Sequence, residues 1–214
     1  MLQVAFDYVN LRDALKTARR VAKAGRLWLE VGTPLIKAEG VKAVTRFRKL
    51  FPNHFIIADM KTFDAGWVEA EIAVKAGADM VSVISAAGDE TVSDVIETCR
   101  KMGAKSIVDL MSVEDPLSRA VRAEELGADA VLVHVGYGRQ KRGYDALSEL
   151  EWIKKITENV KIPVAVAGGI KHGSASTFVK AGCKIIIVGG AITRASDPAD
   201  AAKILLEEIT GASE

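Results

Sequence analysis

Five carboxylates, a lysine and a histidine recur in this sequence at one kind of place, the end of a short apolar run or just past it: Asp7, Glu30, Asp59, Lys61, Asp64, Asp109 and His134. Ser82 and Ser85 close a further run in the same way. Any one of these taken alone reads as a helix N-cap or a satisfied loop carboxylate. Acids from four different runs closing around a lysine and a histidine are a different matter, because crowded carboxylates raise one another's pKa unless a cation neutralises them. Glu30 and Asp59 end neighbouring runs and offer only oxygen, which suits a hard divalent ion such as Mg²⁺, with Mn²⁺ as the alternative; ion pairing with Lys61 is the competing reading. The segment Asp59-Met60-Lys61-Thr62-Phe63-Asp64 alternates acid and base, so that Lys61 can stabilise a developing oxyanion while flanking carboxylates hold it charged. His134 is one of three histidines and the only one expected at the end of a run, and its unperturbed pKa near 6.5 suits proton transfer at neutral pH. A core histidine bonded to backbone is the plain alternative. His54 and His172 are expected to have no chemical role.

Two later runs end in glycine instead of acid: Ala167-Gly168-Gly169-Ile170 and Val188-Gly189-Gly190-Ala191-Ile192. Residues without bulk let backbone N–H groups approach an anion, and a phosphate held by Gly168, Gly169, Gly189, Gly190 and Ala191 is the expectation, against simple tight turns. Arg194 either assists that phosphate or lies on the surface.

The elements that must position these residues follow from a repeated unit, an amphipathic stretch, a glycine and a compact Val/Ile-rich run, as in Lys75 to Val83, Glu125 to Val133 and Lys180 to Val188. The glycine fits the left-handed turn past a helix C-terminus. The runs are continuous, not alternating, which indicates parallel strands covered on both faces. Eight are expected, near 2–7, 26–31, 54–59, 79–84, 105–110, 129–134, 162–167 and 184–189, each followed by a helix. Val92, Val95, Ile96 and Cys99 mark one inward helix face, and Asp115-Pro116 and Asp197-Pro198 read as helix starts. None of the eight runs looks like an edge, so a single (β/α)8 TIM barrel over residues 1–214 is expected, with its chemistry at the C-terminal ends of the strands.

The chain is 49% hydrophobic, with 29 basic and 28 acidic residues mixed along it and a formal net charge of +1. That balance leaves no footprint for nucleic acid or an anionic membrane, and points to small-molecule partners. The basic group Arg139, Lys141 and Arg142 reads as a solvated loop. No apolar run approaches the length of a bilayer span, and the first residues read as a strand rather than an export signal, so a soluble cytoplasmic protein is expected. Cys99 and Cys183 lack metal or redox spacing and read as buried structural thiols.

The pattern Asp59-x-Lys61-x-x-Asp64 resembles the DxKxxD signature of the orotidine 5'-monophosphate decarboxylase superfamily of barrels. Within it, the segments from Leu29 to Ile36, Ala58 to Gly66, Val133 to Tyr137 and Gly189 to Thr193 are similar to those of the 3-hexulose-6-phosphate synthases. The related 3-keto-L-gulonate 6-phosphate decarboxylases usually carry arginine where this chain has Gly190 and Tyr137, which favours the synthase. The resemblance implies an aldehyde-lyase that condenses formaldehyde with D-ribulose 5-phosphate, reversibly and through a Mg-stabilised enediolate, to give D-arabino-3-hexulose 6-phosphate. It implies Mg²⁺ on Glu30 and Asp59, Lys61 stabilising the enediolate, His134 moving the C1 proton, and Asp7, Asp64 and Asp109 contacting substrate. It implies also a homodimer with shared active sites, Asp64 reaching into the partner's. The alternatives are Mg-dependent decarboxylation of 3-keto-L-gulonate 6-phosphate and a barrel that binds sugar phosphates without turnover.

Overall fold

The computed structural model describes residues 1–212; residues 213 and 214, which the single-domain expectation also takes in, lie outside them. Eight strands, β1 (Leu2–Phe6), β2 (Trp28–Val31), β3 (Ile56–Thr62), β4 (Met80–Ile84), β5 (Lys105–Asp109), β6 (Ala130–His134), β7 (Val164–Ala167) and β8 (Ile185–Val188), pair in parallel and in sequence order. β1 also pairs with β8, so the sheet is a closed barrel. Helices α1 (Leu11–Val21), α2 (Thr33–Glu39), α3 (Lys42–Leu50), α4 (Gly66–Lys75), α5 (Asp89–Lys101), α6 (Pro116–Leu126), α7 (Tyr137–Gln140), α8 (Leu150–Asn159), α9 (Ala175–Lys180), α10 (Gly190–Thr193) and α11 (Pro198–Gly211) fill the intervals. The expected (β/α)8 TIM barrel is therefore the fold.

Local chemistry sets these boundaries. Asp115 and Asp197 accept hydrogen bonds from the first-turn N–H groups of α6 and α11, ahead of the prolines at their first positions. Gly77, Gly103, Gly127 and Gly182 all have positive φ where a helix gives way to the next strand.

Two apolar clusters hold the barrel. The larger lies between strands and helices and includes Val4, Phe6, Leu29, Val81, Val108, Val131 and Ile186 with helix residues such as Ala14, Phe47, Val95 and Ile153. The smaller fills the barrel itself with Ala5, Ile57, Met80, Ile107, Ala130, Leu132, Ala165, Ala167, Ile185 and Ile187. Trp28, the first residue of β2, and Phe55, just ahead of β3, stack with centroids 4.4 Å apart and pack against this inner cluster from the N-terminal pole.

One strand departs from expectation. The sequence predicts an end to β3 at residue 59, yet the strand continues to Thr62, and its register with β4 jumps from Ala58 opposite Val81 to Thr62 opposite Val83. Four residues of β3 thus span two of β4, a wide bulge at the C-terminal rim. Within it Lys61 has φ +47, a left-handed conformation that costs a non-glycine residue about 1–3 kcal/mol.

Candidate active site

Side chains alternate along a strand, so a residue two beyond an inner-cluster member points into the barrel, one layer nearer its C-terminal mouth. Ala5 is followed in this way by Asp7, Trp28 by Glu30, Ile57 by Asp59, Met80 by Ser82, Ile107 by Asp109 and Leu132 by His134. These six polar residues therefore form the layer directly above the apolar plug. Gly168 follows Ala167 at the end of β7 and Gly189 follows Val188 at the end of β8, on the same rim.

Lys61 is the hub. Its Nζ lies 2.7 Å from Asp109 Oδ2, 3.2 Å from Asp59 Oδ1 and 3.5 Å from His134 Nδ1. Burial works against charge on Lys61, but Asp59 and Asp109 outweigh it and hold the ammonium above the ordinary lysine range. Asp109 is completely buried, and burial opposes its charge too, yet His134 and Lys61 together hold it well below the usual carboxylate range. Asp109 Oδ2 is also 3.0 Å from His134 Nδ1. With Asp109 ionised, Nδ1–H donates to it, which leaves Nε2 carrying the free lone pair.

The bulge locks this arrangement. The Lys61 backbone N–H donates to Ser82 Oγ over 3.0 Å, and the Ser82 hydroxyl donates to Asp59 Oδ1 over 2.7 Å. The Thr33 hydroxyl, at the start of α2, sits 2.7 Å from both the Asp59 carbonyl oxygen and Asp59 Oδ2. Glu30, buried beside this group, accepts from Gln3 Nε2 at 2.6 Å. Its carboxyl is pushed well above the usual range by burial first, and then by the charges of Asp59 and Asp7. Asp7 stands at the open rim in a recess of protein atoms; desolvation and then Asp59 raise its pKa also. Four carboxylates thus face one ammonium.

That deficit of positive charge bears on whether a metal fits. Glu30 and Asp59 are oxygen donors on adjacent paired strands, and a buried carboxylate pushed toward neutrality by two others is relieved by a nearby cation. Among the described residues no group of three or more His, Cys, Asp or Glu is arranged to hold a metal. The fit is therefore to an open site, two carboxylates with water or substrate oxygens completing the shell, as Mg²⁺ commonly has.

Asp64 stands apart. It is exposed, and its Oδ1 accepts from the Ala65 N–H at 2.7 Å, so within one chain it does not join the cluster. The glycine pairs differ from each other. Gly168 and Gly169 have φ of +110 and +71, and a β-carbon on Gly168 would strike the Val135 carbonyl. Gly190 is bare for another reason: the Arg194 guanidinium folds back over it and occupies the space of a side chain. Among the described residues the Arg194 side chain makes no hydrogen bond or ion pair, while its charge is felt at Asp7.

Elsewhere Thr62 Oγ1 is buried without a hydrogen-bond partner, and the other groups named in the sequence make local contacts. A depression of about 430 Å³ beside Ser85, Ser112 and Arg119 is lined by the Arg119 side chain, which is bonded to Ser85 and Asp89. Another of about 570 Å³ at the N-terminal pole holds Arg48, which binds Asp79 and several carbonyls. His54 meets the Phe51 ring edge-on, and His172 pairs with Glu208. Arg139 pairs with Glu149 and covers Tyr144, while Lys141 covers Tyr137. Cys99 and Cys183 are buried free thiols, pushed up to about 12 by desolvation. The cluster contacts of Thr33, Ser82 and Gln3 are the ones that sequence reasoning missed. Of the three only Ser82 was marked there, as a hydroxyl closing the fourth run, without its partner Asp59.

The fold and this layer together define a (β/α)8 barrel with an acid, lysine and histidine constellation at its C-terminal mouth. The chain belongs to the orotidine 5'-phosphate decarboxylase / HUMPS family, whose model matches residues 1–205. It is 41% identical over 205 residues to the 3-hexulose-6-phosphate synthase of Mycobacterium gastri, covering 95% of this chain and 97% of that protein. It is 37% identical over 201 residues to the Bacillus subtilis (strain 168) protein of the same name, covering 94% of each. A crystal structure of a 3-hexulose-6-phosphate synthase superposes with a TM-score of 0.91 at 41% identity, over 97% of this chain and 99% of that one. The 3-keto-L-gulonate-6-phosphate decarboxylase of Vibrio cholerae superposes with a TM-score of 0.87 at 29% identity, over 99% and 97%.

Proposed function

We propose that the chain is an aldehyde-lyase that adds formaldehyde to D-ribulose 5-phosphate, reversibly, giving D-arabino-3-hexulose 6-phosphate. The observation that carries this reading is Asp109 Oδ2 bridging Lys61 Nζ and His134 Nδ1. A base and an ammonium held by one carboxylate are what enediolate chemistry requires, and the relatives named 3-hexulose-6-phosphate synthase support the choice of reaction.

His134 Nε2 takes the proton from C1 of ribulose 5-phosphate, and the C–H electron pair becomes an enediolate. The Lys61 ammonium stabilises the negative charge, its position fixed by Asp59, Asp109 and the bulge. C1 then attacks the formaldehyde carbon, the C=O π pair moves to oxygen, and the imidazolium returns its proton to that oxygen. Atoms and charge balance, and the former C2 ketone becomes C3 of the product. Glu30 and Asp59 would hold Mg²⁺ or Mn²⁺, which when bound supplies a Lewis acid for substrate oxygens. Asp7 and Asp109 border the sugar. Gly168, Gly169, Gly189, Gly190 and Ala191 leave backbone room for the phosphate, whose binding energy orients C1.

The working form on this reading is a cytoplasmic homodimer, with Asp64 completing the partner's site. In its support, the segment around Asp64 exposes Phe63, Trp67 and Ile72, large apolar side chains that a second copy would cover. No helix among the described residues is long and apolar enough to cross a membrane.

The test is formaldehyde consumption with ribulose 5-phosphate and Mg²⁺, repeated after EDTA and with His134→Ala. The proposal expects a metal-dependent rate and a loss of about 100-fold or more in kcat for the variant. Undiminished rates in either control, or carbon dioxide release from 3-keto-L-gulonate 6-phosphate as the faster reaction, would overturn it.

A further inference from the structure

Among the described residues Gln3 is the one amide side chain within the barrel's buried interior. It is 2% exposed, pairs in register with Trp28 and Ile187, and has the same strand parity as Ala5 of the inner cluster. Its Nε2 donates to Glu30 Oε2 at 2.6 Å, while its Oε1 is buried without a partner. As a packing element this is a poor choice, because a buried amide with an unpaired carbonyl costs stability that an apolar side chain of the same length would not. What the amide does accomplish is to fix one oxygen of Glu30 from below, while the mouth of the barrel lies above.

We propose that Gln3 is a positioning residue for the Glu30 carboxylate, holding it in the orientation in which it and Asp59 accept a divalent cation. The inference rests on the metal reading of that pair given above. A donor on one carboxylate oxygen directs the other toward the ligand and restricts its rotation, the usual part of an outer partner in a metal site. Asp59 is supported in the same way by Thr33 and Ser82, so that both carboxylates of the pair are held from behind by side-chain donors. A role in stability alone predicts the reverse of what Gln3 costs.

The experiment is direct titration of the metal-free, substrate-free protein with Mn²⁺, followed by electron paramagnetic resonance of the free ion, alongside thermal unfolding in EDTA. Gln3→Met should weaken Mn²⁺ binding about 10-fold to 100-fold while its unfolding midpoint in EDTA equals or exceeds that of the parent. Gln3→Asn, which keeps the amide but is too short to reach Glu30, should weaken Mn²⁺ equally and covers the case in which Gln3→Met does not fold. Mn²⁺ affinity within twofold of the parent in the folded variants would overturn the inference. So would a loss of stability in EDTA as large as the loss of affinity, since that marks a structural role. If Glu30→Gln binds Mn²⁺ as tightly as the parent, or the parent binds none, the metal reading itself has failed and the inference with it.

Discussion

Asp109 is the residue on which the others depend, since one oxygen orders both the ammonium and the imidazole. Asp109→Asn keeps the shape but can present its N–H₂ to His134, favouring the wrong tautomer, and leaves Lys61 with Asp59 alone. The expected result is a fall in kcat of about 100-fold or more with KM for ribulose 5-phosphate changed little, read from steady-state kinetics. Glu30 makes the opposite prediction for stability. Its folded pKa is raised, so the native state gives up this proton less readily than the unfolded chain, and ionisation of the unfolded chain favours unfolding as pH rises through about 4.3 and above. Glu30→Gln should therefore stabilise the metal-free protein at pH 7, and the gain should vanish near pH 4; thermal unfolding in EDTA at both pH values measures it. Asp7, Glu30, Asp59, Asp109 and His134 were legible in the sequence because each ends an apolar run, and Lys61 because it follows Asp59 by two, whereas Asp64, named with them, does not join the cluster within one chain. Thr33 and Ser82 were not legible as partners of Asp59, because a hydroxyl's partner depends on a register that one strand alone does not reveal.

At the level of elements, strand count, order and helix starts could be read from continuous Val/Ile runs and Asp-Pro pairs, whereas the length of β3 could not. Asp-Met-Lys-Thr looks like the start of a loop, and only pairing of Thr62 with Val83 keeps it in the sheet. The extra residues are what turn the Lys61 N–H onto Ser82 and its Nζ into the mouth. The glycines ending the last two strands suggest room for an anion, and for Gly168 the structure supplies an additional constraint. At φ +110 and against the Val135 carbonyl, Gly168→Ala should cost about 2 kcal/mol, lowering Tm by about 4–8 °C, which calorimetry would show. The Arg194 guanidinium over Gly190 is unpaired among the described residues at the rim of β8, next to the expected phosphate. Arg194→Ala should raise KM for ribulose 5-phosphate about tenfold, as loss of a charge-assisted contact does, with kcat and Tm near those of the parent.

For the molecule as a whole, closure of the sheet removes every strand edge, so association has to use side chains. The exposed Phe63, Trp67 and Ile72 are the apolar surface beside Asp64, and Trp67→Glu should convert the proposed dimer into a 22.9 kDa species in sedimentation velocity, with activity lost in proportion. Closure also has a consequence for traffic. The Trp28–Phe55 stack and the inner cluster leave the barrel a floor and a single doorway, at the end where the acids stand. A sugar phosphate seated there fills the passage, and a one-carbon aldehyde is small enough to slip in past it. On the proposed chemistry the larger substrate therefore boards first and the smaller second, and in the reverse direction the aldehyde departs before the sugar. Order of addition would then be written into the architecture, with no moving part required to enforce it.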